Sequence, residues 1–310
     1  MTPSSREHER ASAADGGRGT ASDREPEDPS NDDGGRRAAS SGGRGWFGVR
    51  RPWTAGGLAV PALLGTVLLA YFVVPVAAFL FRSRRVDVVA GLADPAVRDA
   101  IATSLLTAPV STAVATVFGV PLAYVLSRAS FRGKRLVEAL VLLPLVVPPI
   151  VGGVMLLTVL GRYTPIGAAA AAVGLPLTGS VAGVVLAQTF VAAPFLVVTA
   201  RAGFDEVDPR LEEASRTMGY GRLRTIRLVS LPLARNAIAA GIVLTFVRGI
   251  GEFGATMMVA YTPRTMPTRI RVAFIARGID AIVPIALALL AIAVIVVVAV
   301  QLLVGTPRRG

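Results

Sequence analysis

Between two apolar stretches lies the segment Asp208-Pro209-Arg210-Leu211-Glu212-Glu213-Ala214-Ser215-Arg216-Thr217-Met218-Gly219, followed by Val229-Ser230-Leu231-Pro232. An Asp-Pro pair is a helix start, since the carboxylate caps orphan N–H groups and proline fixes the first turn. Glu212 and Glu213 sit where the helix dipole favours negative charge, and Gly219 comes where a left-handed stop is expected. At helical spacing, Leu211, Ala214, Ser215 and Met218 share one face while Glu212, Glu213 and Arg216 look elsewhere. A second, basic helix is expected from Gly221 to Val229, ending before Pro232. The whole loop, residues 203–233, therefore reads as helix, glycine turn, helix, held beneath a membrane.

The membrane follows from what flanks it. The chain has 310 residues, 53% hydrophobic and only 17% charged, with a mean hydropathy of +0.61. Soluble domains carry about 25% charged residues. A spanning helix needs about 20 mostly apolar residues, and six stretches supply them: Leu58 to Phe81, Ile101 to Ser127, Leu136 to Leu160, Val181 to Ala202, Asn236 to Tyr261 and Ala281 to Val304. The Ala-rich run Ala168 to Val173 is too short to cross. An all-α membrane protein with six transmembrane helices is expected, over residues 53–310. Residues 1–52 are Ser, Gly, Asp, Glu and Arg with hardly a large apolar side chain, a composition that reads as a disordered cytoplasmic tail. The first apolar stretch is too long for a signal peptide.

Net charge is +12. All but Lys134 of the basic residues are arginine, and residues 46–310 alone carry +14. With both termini cytoplasmic, sixteen basic residues fall on inside loops and nine outside, the sense of the positive-inside rule. This distribution argues against nucleic-acid binding, which gathers charge on a soluble face. The chain has no cysteine, and its one histidine, His8, lies in the polar tail. Histidine-based nucleophilic catalysis, thiolate chemistry and cysteine or histidine metal sites are thus excluded. Lys134 is not set in a Walker A loop. No cofactor, no metal and no catalytic residue are expected.

Glu213-Ala214-Ser215, then Gly219, then Val229-Ser230-Leu231-Pro232, resembles the Glu-Ala-Ala…Gly…Ile-x-Leu-Pro signature of permease subunits of ATP-binding-cassette (ABC) importers. The likeness extends over roughly Ile101 to Ile285. Ser104-Leu105, Ser111-Thr112 and Gly119 to Arg128 look like the second helix of such importers. Leu143 to Pro149, Gly152-Gly153 and Gly161 to Gly167 are similar to the molybdate branch. Gly251-Glu252-Phe253-Gly254-Ala255-Thr256 is similar to a motif shared by molybdate, tungstate and sulfate permeases.

The resemblance implies a type I ABC importer permease fold and a channel-forming subunit for molybdate or tungstate, with sulfate or thiosulfate as the alternative oxyanions. It implies three kinds of partner: a homodimer mate, a separate ATP-binding-cassette subunit and an extracytoplasmic oxyanion-binding protein. Glu213, Ala214, Ser215, Gly219, Leu231 and Pro232 are then the residues of ATPase coupling. An ion-coupled secondary transporter, the rival class, would want several intramembrane carboxylates, whereas this chain offers Glu252 alone.

Ionisable groups in hydrocarbon are costly and face a cavity or a partner. Arg248 and Glu252, four apart, either pair with each other or line a pathway for an anion. Gly251, Gly254 and Thr256 would allow close approach of an oxyanion to backbone N–H and hydroxyl groups, or simply close packing of helices. Pro144, Pro148 and Pro149, with Gly152 and Gly153, are expected to kink or break the third helix. The outer stretch Tyr261 to Gly278 has four arginines and no acid, suited either to an acidic rim on the binding protein or to solvent.

Overall fold

A computed structural model describes residues 55–304. The tail expected over residues 1–52 lies outside the described residues, as do Arg308 and Arg309 in the inside count. The chain divides into two compact units, Met1–Val60 and Pro61–Gly310, and nearly all described residues belong to the second.

The described residues are helical, with no strand among them. In order they form α1 (Ala55–Ser83), α2 (Val88–Ala93), α3 (Pro95–Arg128), α4 (Lys134–Val146), α5 (Pro149–Leu160), α6 (Pro165–Ala172) and α7 (Val181–Asp205). Then come α8 (Pro209–Thr217), α9 (Arg222–Thr225), a π turn (Ile226–Ser230), α10 (Leu231–Ile250), α11 (Gly254–Val259), α12 (Met266–Arg277), a 3₁₀ turn (Asp280–Ile282) and α13 (Val283–Val304).

Among the described residues, four segments are long and apolar enough to cross a membrane: Ala59–Ser83, Pro95–Arg128, Val181–Asp205 and Arg222–Ile250. The third expected span breaks in two. Val147 and Pro148 are extended between α4 and α5, because tandem prolines remove two donors and push the preceding residue out of the helical region. What passes the length-and-apolarity test there is α5 taken with α6, bent by 67°. The Ala-rich run set aside as too short is thus part of an eight-residue helix capped by Thr164, whose hydroxyl accepts from the Gly167 N–H. The fifth expected span also stops early, at Ile250, before the Gly251–Phe253 break and α11. The last helix, α13, follows directly on the 3₁₀ turn and is apolar to Val304.

α3, α7 and α10 form the central bundle. Small residues bring their backbones together: a Cβ on Gly203 would come within 2.3 Å of the Ala237 Cβ, and one on Gly241 within 3.2 Å of the Leu196 Cα. Several hydroxyls of the bundle are satisfied inside their own helices, as Thr107, Thr112 and Thr199 donate to carbonyls one turn back, the cheapest solution in hydrocarbon. Large apolar side chains cover the outside instead, among them Phe118 at 72% exposure and Val146 at 81%. An exterior of that kind belongs against lipid. The protein is a multi-pass membrane protein.

The Gly203–Ala237 approach makes a sharp prediction. Gly203→Ala should lower the thermal unfolding midpoint in detergent, by overpacking worth about 1–3 kcal/mol, and the double change Gly203→Ala with Ala237→Gly should restore most of it. An unshifted midpoint in the single variant would contradict this packing.

Candidate functional site

α8 starts as its sequence dictates. The Asp208 carboxylate accepts from the Arg210 N–H at 2.9 Å, Pro209 occupies the first turn, and Gly219 takes φ +85° just past the end. The second helix does not end before Pro232. It runs from Arg222 through the π turn into α10, with the Leu231 N–H bonded to the Ile226 carbonyl. The wider turn makes room for the proline ring, which has no N–H and would collide with the carbonyl four residues back.

The helical pattern groups the faces of α8 without saying which is buried, and the structure settles it. Glu212 and Ser215 point inward, while Leu211 (48% exposed) and Met218 (69%) point out, and Glu213 and Ala214 are exposed with them. The reason is a set of donors waiting behind the helix. The Glu212 carboxylate accepts from Arg128 Nε at 3.0 Å, from the Ser230 hydroxyl at 2.8 Å and from the Tyr124 hydroxyl at 3.2 Å. Arg128 also donates to the Val207 carbonyl at 2.7 Å, and the hydroxyls of Ser215 and Thr225 lie 3.0 Å apart. Below the cluster Tyr124 meets Phe204 edge-on at 5.3 Å, beside Leu126, Val197 and Val207. Burial by itself pushes the Glu212 carboxyl up, but Ser230, Arg128 and Tyr124 together outweigh it and hold the group below its ordinary value.

Of the residues expected to serve coupling, the structure thus gathers Glu213, Ala214, Ser215 and Gly219 on or beside α8. Leu231 is half-buried at the start of α10 and Pro232 is exposed next to it. Glu212, Arg128, Tyr124 and Ser230 went unrecognised as one unit. Tyr124 and Arg128 belong to the quoted Gly119–Arg128 stretch, but nothing in one sequence signals a pairing across 84 or 88 residues.

The second group surrounds the break after α10. Arg248 and Glu252 form an ion pair, with Glu252 1% exposed and Arg248 about a quarter exposed. The other Glu252 oxygen accepts from the Ala255 N–H at 2.9 Å and so caps α11. Gly254 serves packing, since a Cβ there would approach the Ile150 backbone nitrogen to 2.9 Å. Gly251 is exposed. Thr256 is fully buried, and neither its hydroxyl nor either amide atom of Gln188 has a hydrogen-bond partner among the described residues. No group of three or more His, Cys, Asp or Glu suited to a metal occurs among the described residues.

Long apolar helices joined by a folded loop, with breaks in two of them, define a helical membrane protein of the kind that moves a solute through a bundle. Residues 115–306 match the family described as the binding-protein-dependent transport system inner membrane component, and the chain belongs to that family. It is 50% identical over 227 residues to a probable molybdenum ABC transporter permease protein of Haloferax volcanii, covering 73% of this chain and 83% of that one. It is 40% identical over 259 residues to a molybdate/tungstate transport system permease protein of Thermococcus kodakarensis, covering 83% and 98%. Among solved structures it is similar to a chain of a bacterial alginate ABC transporter in complex with an alginate pentasaccharide-bound periplasmic protein. The TM-score is 0.61 at 16% identity, with 81% of this chain and 96% of that chain covered.

Glu212→Ala should leave the half-buried Arg128 without its counter-charge, at a cost of about 1–3 kcal/mol, and limited proteolysis should then cut the loop at neutral pH. In the unchanged protein the folded loop holds a carboxyl of lowered pKa. Its contribution to stability is therefore complete above the unfolded-state value and is lost as acid carries the pH down through the folded-state value. Protease resistance should persist at pH 6 to 8, by roughly that linkage, and decline only in strong acid. A loop equally resistant in Glu212→Ala would contradict the anchoring role.

Proposed function

We propose that this chain is the membrane permease of an ATP-driven importer of molybdate and tungstate. It works as a homodimer of six-span subunits, with both termini cytoplasmic, two ATPase subunits beneath loop 203–233 and an extracytoplasmic binding protein above. Six spans arise if α4 with α5, and α13, each count as one crossing. The oxyanion comes from the relatives: the similar Haloferax and Thermococcus proteins are described as molybdenum and molybdate/tungstate permeases. The alginate transporter with a similar fold was solved with a periplasmic protein, in keeping with a binding-protein partner here.

One observation carries the coupling mechanism. α8 is gripped from behind through Glu212 while Leu211 and Met218 face outward, the arrangement of a rigid foot with an apolar sole. Closure of the ATPases on ATP moves that foot. The displacement passes through Glu212 into α3 and α10 at once. From Arg222 the helix runs unbroken to Ile250, so a push at the loop arrives at the Arg248–Glu252 pair and the Gly251 break. There the pathway at the dimer interface opens outward to receive the oxyanion, and it opens inward after hydrolysis. Arg248 raises the local potential for an anion, and Glu252 keeps that charge from trapping it.

Deleting the gene should lower cellular molybdenum and tungsten, read by elemental mass spectrometry, and leave sulfur unchanged; a selective fall in sulfur would overturn the substrate reading. Leu211→Asp with Met218→Asp should abolish co-purification of the ATPase from an otherwise folded permease. Arg248→Gln should stop uptake with the assembly intact. Uptake that survives ATP depletion but not collapse of the ion gradient would favour a secondary transporter.

A further inference from the structure

A cavity of about 920 Å³ opens beside the Glu212 cluster, between the end of α3 and the α8–α9 turn. Its walls are of two kinds. Val125, Leu223 and Leu231 give it an apolar side, and Arg216, Arg222 and Arg227 are among the polar residues that line it. Glu212 lines it too, but that carboxylate is committed to Arg128, Ser230 and Tyr124. Among the described residues no carboxylate pairs with Arg216, Arg222 or Arg227, in contrast to Arg128 and Arg201 nearby, which are paired. Among the described residues, then, the site sets three arginines without a carboxylate partner beside a hydrophobic slot.

Its position also matters. It lies where α3 ends at Arg128 and α10 begins at Leu231, the end of the bundle that the proposed topology turns to the cytoplasmic leaflet. A small free anion would gain nothing from the apolar side, and an uncharged acyl chain nothing from the arginines. We propose that the cavity is a binding site for one anionic phospholipid of the cytoplasmic leaflet. Its phosphate lies among Arg216, Arg222 and Arg227, and the start of an acyl chain lies along Val125 and Leu231. Basic pockets at the cytoplasmic ends of membrane helices suit that chemistry. Bound there, the lipid bridges the loop that carries the foot to the end of α3, so that coupling depends on the charge of the membrane. The inference rests on the proposed cytoplasmic placement of the loop.

The test uses the full chain in non-ionic detergent, given phosphatidylglycerol or phosphatidylcholine and observed by native mass spectrometry. One phosphatidylglycerol per chain should be retained in preference to phosphatidylcholine. Arg222→Gln with Arg227→Gln should weaken its retention roughly ten-fold or more. Val125→Trp, which fills the slot and changes no charge, should weaken it too. Arg224→Gln, whose guanidinium stacks on Tyr220 at 4.4 Å, should not. Three results would overturn the proposal: equal retention of the two lipids, undiminished phosphatidylglycerol in the double variant, or competition by glycerol 3-phosphate as strong as by the lipid. Should the double variant lose the ATPase subunit yet keep its lipid, the arginines belong to the ATPase contact and the lipid site is refuted. A chain that binds lipid as described but never retains an ATPase would instead refute the proposed function alone.

Discussion

A carboxylate taken out of water must be repaid by donors on every side, and Glu212 is repaid by three side chains from two helical elements at once. Arg128 and Tyr124 come from the end of α3, and Ser230 from the π turn that leads into α10. None of these groups can be moved alone without stranding a buried charge, a loss that exceeds what any surface pair contributes. The loop is thereby made one body with two of the three central helices. It is on this rigidity, more than on the amphipathic pattern of α8, that the proposed transmission of force depends.

Rigidity at the loop is matched by interruptions elsewhere. The chain breaks at Val147–Pro148 and again at Gly251–Phe253, and the two breaks meet, since Gly254 packs against Ile150 at the start of α5. Glu252 caps the short helix after the second break while holding Arg248, so the intramembrane charge pair sits at the end of the long Arg222–Ile250 rod. Unsatisfied polar atoms on Gln188 and Thr256 flank the same region from α7 and α11. In the proposed mechanism, motion carried along the rod would end where the helices are interrupted.

How much of this could be read from residues alone varied with the range of the physics involved. Local rules did well: Asp208-Pro209 started α8, Gly219 ended it in the left-handed region, and Pro148-Pro149 broke a helix, because capping, chirality and missing donors act within a turn. Hydropathy found the apolar stretches yet misjudged their ends, since it does not register an eight-residue helix after Pro165 or a proline absorbed by a π turn. Periodicity put Leu211 and Met218 on a shared face but could not say which face was buried. That choice belongs to Arg128, 84 residues away, and to a donor set visible only once the chain has folded. Glu212 was legible as a helix-start carboxylate and illegible as the anchor.

The central claim is that this chain moves its solute only when a separate ATPase pushes the loop around Glu212. Reconstitution of the permease into liposomes, with and without its ATPase subunit and ATP, tests it directly through uptake of binding-protein-loaded molybdate. The account predicts uptake only with both present, and none when the ATPase is paired with the Glu212→Ala permease. Sustained uptake by the permease alone would contradict it.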